Sequence, residues 1–201
     1  MVGRYVAFEG AEGCGKSTQA ARCADATGAL LTRETGGTPV GERLRAILHD
    51  TTMRDMTPRT EALMAAADRA QHVERVVRPA LDSGRSVVSD RSVYSTLAYQ
   101  GHGRGLDLRE IHDLNEWATG GLWPDVVVFL DTPDDVIADR MSRRDLDRFE
   151  SAGPAFHERV IDGFRSMAAA DPDRWITIAA VGPVDDVAEK VRAALDGRTR
   201  P

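Results

Sequence analysis

The sequence predicts an α/β fold, a three-layer α/β/α sandwich with a five-stranded parallel sheet, forming a single domain over residues 1–201. Short apolar runs alternate with longer stretches of helical periodicity, which is typical of consecutive βαβ units. The apolar runs, such as Val126–Leu130, lack the polar alternation of a half-exposed strand. Strands of a parallel sheet are buried on both faces and have this uniform composition.

The predicted strands are the short apolar runs Arg4–Glu9, Ala29–Thr32, Ser86–Ser89, Val126–Leu130 and Trp175–Ile178. The predicted helices are the periodic stretches Lys16–Ala26, Val40–Leu48, Thr60–Ser83, part of Leu108–Thr119, Pro133–Arg144, Gly153–Ala169 and Val184–Leu195.

Composition and charge exclude several classes of protein. The formal net charge of −6 argues against a nucleic-acid-binding protein, which normally has a basic face. No run approaches the roughly 18 apolar residues of a membrane span, and Met1–Gly10 leads almost directly into the first strand, so we expect no signal peptide. Two cysteines, Cys14 and Cys23, are too few for a disulfide framework and indicate a reducing compartment. We therefore expect a cytoplasmic protein that binds neither nucleic acid nor membranes.

A glycine-rich loop follows the first predicted strand. Gly10–Ser17 matches the pattern G-x-x-x-x-G-K-S/T in full, which predicts a fold of the P-loop NTPase type. Glycines let successive backbone N–H groups approach one anion, and the helix that starts here adds the positive end of its dipole. Lys16, one of only two lysines among 26 basic residues, is expected to reach the β- and γ-phosphates, and Ser17 to ligate Mg²⁺. The predicted ATP-binding residues of the loop are Gly10, Ala11, Glu12, Gly13, Cys14, Gly15, Lys16, Ser17 and Thr18.

The loop alone does not distinguish GTPases, motor ATPases and small kinases. Guanine-reading sequences of the N-K-x-D type are absent, and the chain is short for a motor. Several separated arginine-containing segments favour a kinase, because bringing two anionic substrates together requires positive charge. Cys14 either fills a small-residue position in the loop or acts as a thiol nucleophile, and the first is favoured because no base is evident beside it.

Four further segments have a familiar order and spacing. They are Thr32–Glu42, Ala67–His72, Asp90–Arg91 with Ser95–Gly101, and Leu146–Glu150. Together with the glycine-rich loop, and with Pro124-Asp125 and Leu130-Asp131 around the fourth strand, they resemble the bacterial thymidylate kinase family from about Arg4 to Arg192. The resemblance implies transfer of the γ-phosphoryl group of ATP to thymidine monophosphate, with Mg²⁺ as cofactor, in deoxynucleotide biosynthesis. It also implies a homodimer, for which the apolar stretch Leu63–Ala70 is a candidate surface.

The resemblance gives Asp90 and Arg91 roles at the reacting phosphates. The aspartate would join Ser17 at the magnesium site, and the arginine would bridge the acceptor and donor phosphates. The pair directly follows a predicted strand, at the edge where doubly wound sheets bind ligands. The alternative is an ion pair at the protein surface.

Other residues are implied around the acceptor nucleotide. Glu12 would take the 3′-hydroxyl, Arg69 would donate to the pyrimidine O4, and Thr96 and Gln100 would surround the base. Arg45 is a candidate for contact with the acceptor phosphate, with an equally acceptable interpretation as part of a solvated helix face.

Residues near 140–152 resemble the small lid of these kinases. Arg140, Arg144 and Arg148 have the four-residue spacing of one helix face, which could close over the triphosphate with Arg140 as an ATP contact. Because the loop has no arginine between Gly10 and Lys16, the resemblance places the catalytic charge in the lid. The candidates, in no order of preference, are Arg143, Arg144 and Arg148. Alternatively, the arginines pair on an exposed helix with Asp139, Asp145, Asp147 and Glu150.

Three positions depart from the family pattern. Ala65 stands where a bulky ring usually stacks on the thymine, Thr35 where proline is common, and Ser92 where an aromatic residue often follows the Asp-Arg pair. The acceptor could therefore be another nucleoside monophosphate or a small metabolite. A non-catalytic ATP-binding switch is a further alternative. The presence together of four residues that would serve catalysis argues against it: Lys16, Ser17, Asp90 and Arg91.

Overall fold

Five parallel strands form one sheet in the order β2–β3–β1–β4–β5. They are β1 (Tyr5–Glu9), β2 (Leu30–Arg33), β3 (Val87–Asp90), β4 (Val126–Asp131) and β5 (Trp175–Ala179). The computed structural model describes residues 3–133, 136–137 and 146–198. Each predicted strand is present with ends that move by one residue, and all pairings are parallel, so the predicted fold class is confirmed.

Helices cover both faces of the sheet. They are α1 (Lys16–Thr27), α2 (Pro39–His49), α3 (Pro58–His72), α4 (Arg78–Asp82), α5 (Val93–Thr96), α6 (Leu108–Thr119), α7 (Pro154–Ala170) and α8 (Val184–Asp196). A π-helical turn, Val73–Val77, joins α3 to α4, so the predicted helix Thr60–Ser83 is one continuous rod with a wider turn inside it. Of the predicted helix Pro133–Arg144, residues 134–135 and 138–144 lie outside the described residues.

Strand β4 shows why the sandwich has three layers. Its first five residues are buried, as expected for a strand that is covered on both faces. Val128 packs with α1 and α8, whereas Val127 and Phe129 pack in a second cluster with α5, α6 and α7. Alternate side chains of one strand therefore serve two separate apolar cores.

A helical stretch after β3 is absent from the sequence-based prediction. Helix α5 continues directly into a π-helical segment, Leu97–Gly103, of which His102 alone is not fully buried. Its residues are buried on almost every side and include Gly101 and Gly103, so they show no amphipathic period. This segment and the ends of β1 and β3 surround the site.

Candidate functional site

A cavity of about 550 Å³ opens at the carboxyl ends of the central strands. The glycine-rich loop after β1 forms one part of its wall, and Asp90 and Arg91 after β3 form the next. Helices α2 and α3 and the segment Leu97–Gly103 close the opposite side. The two strands that carry the loop and the Asp-Arg pair are neighbours, with Phe8 opposite Asp90 in the register.

The glycine-rich loop has backbone angles that its glycines permit. Gly10 has a φ of 144° and Gly15, which precedes α1, a φ of 98°. A Cβ atom at Gly10 would lie 2.8 Å from the Leu130 carbonyl oxygen, so only glycine fits this close approach. Lys16 Nζ donates to the Ala11 carbonyl oxygen at 2.7 Å, across the mouth of the loop. Cys14 is buried in the apolar core beneath the loop. This environment favours the interpretation in which Cys14 fills a small-residue position.

The first turn of α1 and the end of β3 bring two oxygen ligands together. The Ser17 hydroxyl donates to Asp90 Oδ2 at 2.5 Å. Mg²⁺ prefers oxygen ligands and keeps several waters while it binds one or two protein groups and substrate phosphates. Among the described residues no group of three His, Cys, Asp or Glu side chains could hold a metal ion by itself. A hydroxyl and one carboxylate beside a phosphate-binding loop fit this kind of shared magnesium site.

Arg91 has a backbone conformation that is rare outside glycine, with a φ of 72°. The buried carboxylate of Glu9 holds the turn, since it accepts from the Ser92 N–H at 2.8 Å and from the Ser92 and Ser95 hydroxyls at 2.7 and 2.6 Å. Burial raises the pKa of Glu9. Glu9 is not among the site residues predicted from the sequence, although its position next to Gly10 at the end of β1 points to the site.

The Arg91 side chain points into the cavity. It forms an ion pair with Glu12, donates to the Tyr99 hydroxyl at 3.1 Å, and lies with its guanidinium carbon 5.0 Å from the centre of the Tyr99 ring. Burial opposes its charge, but Glu12, Tyr99 and Glu9 outweigh burial and raise the pKa of Arg91. Asp90 and Arg91 thus contact different partners, Ser17 and Glu12, at the cavity wall.

Two further arginines line the cavity near Arg91. Arg45, from α2, reaches the Thr35 carbonyl oxygen at 3.4 Å, and Arg33, at the end of β2, reaches the Gly36 carbonyl oxygen at 3.4 Å. Burial and then the charges of Arg33 and Arg91 lower the pKa of Arg45. The positive charge that Arg33, Arg45 and Arg91 bring to this part of the cavity makes it a candidate anion site. Arg45 and Arg91 are among the site residues predicted from the sequence, and Arg33 is not.

Arg69 is buried on α3, and the protein uses most of its donors. Its Nε donates to Glu34 at 2.8 Å, and its Nη1 donates to Thr96 at 2.8 Å and to Asn115. Its Nη2 donates to the Ser92 carbonyl oxygen at 3.0 Å. A guanidinium group has five N–H donors, so one Nη2 hydrogen has no partner within residues 3–133, 136–137 and 146–198.

The remaining part of this wall combines polar and apolar groups. Gln100 donates its Nε2 to the buried carboxylate of Glu61 at 2.7 Å, and Thr96 accepts from Arg69. Ala65 lines the cavity with a small side chain, and Phe149 lines it from the described part of the predicted lid.

Of the predicted lid arginines, Arg140, Arg143 and Arg144 lie outside the described residues. Arg148 donates from Nε to the Leu48 carbonyl oxygen at 2.8 Å, and its Nη1 lies 2.7 Å from Glu61 Oε2. Asp147 accepts from His49, with Nδ1 and Oδ2 2.6 Å apart. Asp147 and Arg148 are therefore attached to α2 and α3, and Arg148 is not among the described residues that line the cavity.

No helix within the described ranges is long and apolar enough to cross a membrane.

Comparisons with known proteins point to one family. A family model for thymidylate kinase matches residues 8–191. A thymidylate kinase of Lactobacillus helveticus (strain DPC 4571) is 42% identical, over 98% of this chain and 98% of its own length. Thymidylate kinases of Oleidesulfovibrio alaskensis and of Synechococcus sp. (strain CC9311) are each 44% identical, over 95% and 96% of this chain and 96% of their own lengths.

Proposed function

The chain belongs to the thymidylate kinase family, and we propose that it transfers the γ-phosphoryl group of ATP to thymidine monophosphate, giving thymidine diphosphate and ADP in dTTP biosynthesis. The observation that carries the proposal is the continuity of one cavity. The same cavity is lined by Lys16 and Ser17 of the phosphate-binding loop and by Arg33, Arg45 and Arg91 of the anion site. Two phosphorylated substrates can therefore meet at Arg91.

Catalysis by these residues rests on positioning and on positive charge. The phosphate of a nucleoside monophosphate is already anionic at neutral pH, so its oxygen can attack in line without a strong general base. Lys16 holds the donor phosphates in this proposal, and Arg91, which lines the same cavity, contacts the phosphates of both substrates. Arg143 and Arg144, with Arg140 as an ATP contact, are proposed to add charge from the lid.

Mg²⁺ is the cofactor we propose, held by Ser17 and Asp90 together with the phosphates of ATP. When bound, it neutralises charge on the phosphates. The chain's own contribution is to hold the two oxygens on neighbouring elements, α1 and β3.

Recognition of the acceptor is proposed for the wall opposite the phosphate-binding loop. Arg45 and Arg91 bind its phosphate, and Glu12, beside Arg91, takes the 3′-hydroxyl. The free Nη2 hydrogen of Arg69 suits a carbonyl group at the edge of a pyrimidine, with Thr96 and Gln100 beside it. Ala65 leaves space above the base where other family members have a ring, so we expect weaker binding of thymidine monophosphate than is usual in the family.

We also expect a cytoplasmic homodimer. Leu63, at the start of the apolar stretch on α3, is 55% exposed, and Val40 and Ile47 on the neighbouring helix α2 are exposed as well. Helices with exposed apolar side chains of this kind are suited to pack against a second copy.

The test is ADP release with a panel of nucleoside monophosphates, on the parent chain and on Lys16→Ala. We expect thymidine monophosphate to be the preferred acceptor and Lys16→Ala to lose at least about 10²-fold in kcat. Lys190→Ala, the replacement of the other lysine, which is exposed, is the matched control and should keep full activity. Preference for a purine or for a non-nucleotide acceptor would contradict the acceptor but leave a kinase. Absence of turnover with every acceptor would favour the non-catalytic switch.

A further inference from the structure

A buried carboxylate lies behind the cavity wall that is proposed to bind the nucleoside monophosphate, and all of its hydrogen-bond-accepting positions are filled. Glu61, in the first turn of α3, is 1% exposed. Its Oε1 accepts from Gln100 Nε2 at 2.7 Å and from Arg104 Nε at 3.2 Å. Its Oε2 accepts from Arg104 Nη2 at 3.1 Å and lies 2.7 Å from Arg148 Nη1. Four contacts from three side chains fix this carboxylate in place.

This carboxylate decides how the Gln100 amide is oriented. An ionised carboxylate between two guanidinium groups can only accept hydrogen bonds, so the NH₂ group of Gln100 must face Glu61. The amide oxygen is then directed to the other side. Gln100 lines the cavity, and within residues 3–133, 136–137 and 146–198 no hydrogen bond joins its Oε1 to the protein. The cavity wall therefore presents an acceptor here and not a donor.

We infer that Glu61 is a positioning residue that sets base specificity by holding Gln100 with its Oε1 toward the base. This inference rests on the proposed function. Thymine has a ring N–H at position 3, which can donate to Oε1, whereas cytosine has an acceptor nitrogen there. Two acceptors facing each other leave a buried polar group without a partner. Glu61 thus favours thymidine monophosphate over the cytidine nucleotide without touching either.

The test compares kcat/KM for thymidine and cytidine deoxynucleoside monophosphates in the parent, in Glu61→Gln and in Gln100→Met. A glutamine at position 61 can donate or accept, so it allows the Gln100 amide to turn over. We expect the ratio of the two kcat/KM values to fall about tenfold in Glu61→Gln. Glu110→Gln removes a carboxylate of an exposed ion pair with Arg59 and is the control, with an unchanged ratio.

Each outcome bears on the inference. A folded Glu61→Gln protein with the parent's ratio overturns it, because a purely structural role would lower both rates together. Loss of the two arginine contacts could prevent Glu61→Gln from folding, and Gln100→Met then decides. That variant changes no charge, and a lowered ratio supports the inference because it shows that the amide held by Glu61 contributes to discrimination between the bases in addition to Arg69. An unchanged ratio in Gln100→Met overturns it. A parent without activity on thymidine monophosphate would instead refute the proposed function.

Discussion

The Ser17 hydroxyl donates a 2.5 Å hydrogen bond to the Asp90 carboxylate, which joins the first turn of α1 to the end of β3. The two residues are 73 positions apart in the chain, and the parallel register of β1 and β3 brings them together. Their oxygens are the two protein ligands of the proposed magnesium site.

Asp90→Asn is expected to raise the Mg²⁺ concentration for half-maximal activity about tenfold or more, because the amide keeps the shape but loses the charge that attracts a divalent cation. The measurement is the initial rate across a Mg²⁺ titration at constant ATP. Asp113→Asn, at an exposed position of α6, should leave the titration unchanged. If Asp90→Asn has the parent's Mg²⁺ dependence, Asp90 does not serve the metal.

Arg45→Gln is expected to change acceptor binding and stability in opposite directions. The variant loses a cation that would face the acceptor phosphate, so the acceptor KM should rise about tenfold or more. It also removes repulsion from Arg33 and Arg91, so the Tm of the nucleotide-free protein should rise. Arg43→Gln, on the exposed face of the same helix, is the control for both measurements. A Tm that rises with no change in KM would mean that Arg45 only borders the anion site.

Replacement of Arg148 is expected to lower stability, whereas replacement of Arg143 and Arg144 is expected to lower the rate of catalysis. Arg148→Gln removes a contact with the buried Glu61 and should lower the free energy of unfolding by about 1.5–3 kcal/mol. Arg143→Gln combined with Arg144→Gln should instead lower kcat about 10²-fold with little change in stability. Urea unfolding and steady-state kinetics on both proteins separate the two effects, with the exposed Arg192→Gln as control. A large loss of kcat in Arg148→Gln at unchanged stability would show that Arg148 acts in catalysis together with Arg143 and Arg144.

Glu34 makes the stability of the protein depend on pH, and its pKa determines the sign of this dependence. Burial alone would raise its pKa, but Arg69 and His72 outweigh burial and hold the pKa below the usual 4.5. The folded protein therefore binds this proton less tightly than the unfolded chain. The contribution of Glu34 to stability is fully present above pH 4.5 and is lost as the pH falls through the folded pKa.

Glu34→Gln is expected to lower the free energy of unfolding by about 3–5 kcal/mol at neutral pH, because Arg69 remains buried without its charged partner. The difference between variant and parent should narrow below pH 4.5. Urea unfolding at a series of pH values measures it, and the exposed Glu42→Gln is the control. A difference that stays constant into acid would show that the charge of Glu34 is not what stabilises the pair.

The sequence predicted the parts of this structure that depend on local pattern. Strand β4 is a continuous apolar run, and the glycine-rich loop has a fixed spacing, so both were placed within one residue. The helical stretch after β3 was missed because burial on all sides removes amphipathic periodicity. Glu9 was missed because its partner Ser92 is 83 positions away, and such a contact leaves no mark in the neighbouring sequence. Glu61 was missed for the same reason, since Gln100 is 39 positions away.

Because Leu97–Gly103 forms a wider, π-helical turn, the number of residues in this segment affects the geometry of the site. In an α-helix each residue is rotated by about 100° from the one before it, and a π-helical turn accommodates one residue more before the same face returns. Deletion of Ala98, a fully buried residue without a polar side chain, would restore ordinary helical spacing and rotate the later side chains of the turn. Tyr99 would leave Arg91, and Gln100 would leave Glu61, although neither residue had been replaced. The site therefore depends on the number of residues in this stretch as well as on their identity. A variant with one residue deleted here would keep every site residue but lose the arrangement of the cavity wall that is proposed to bind the acceptor.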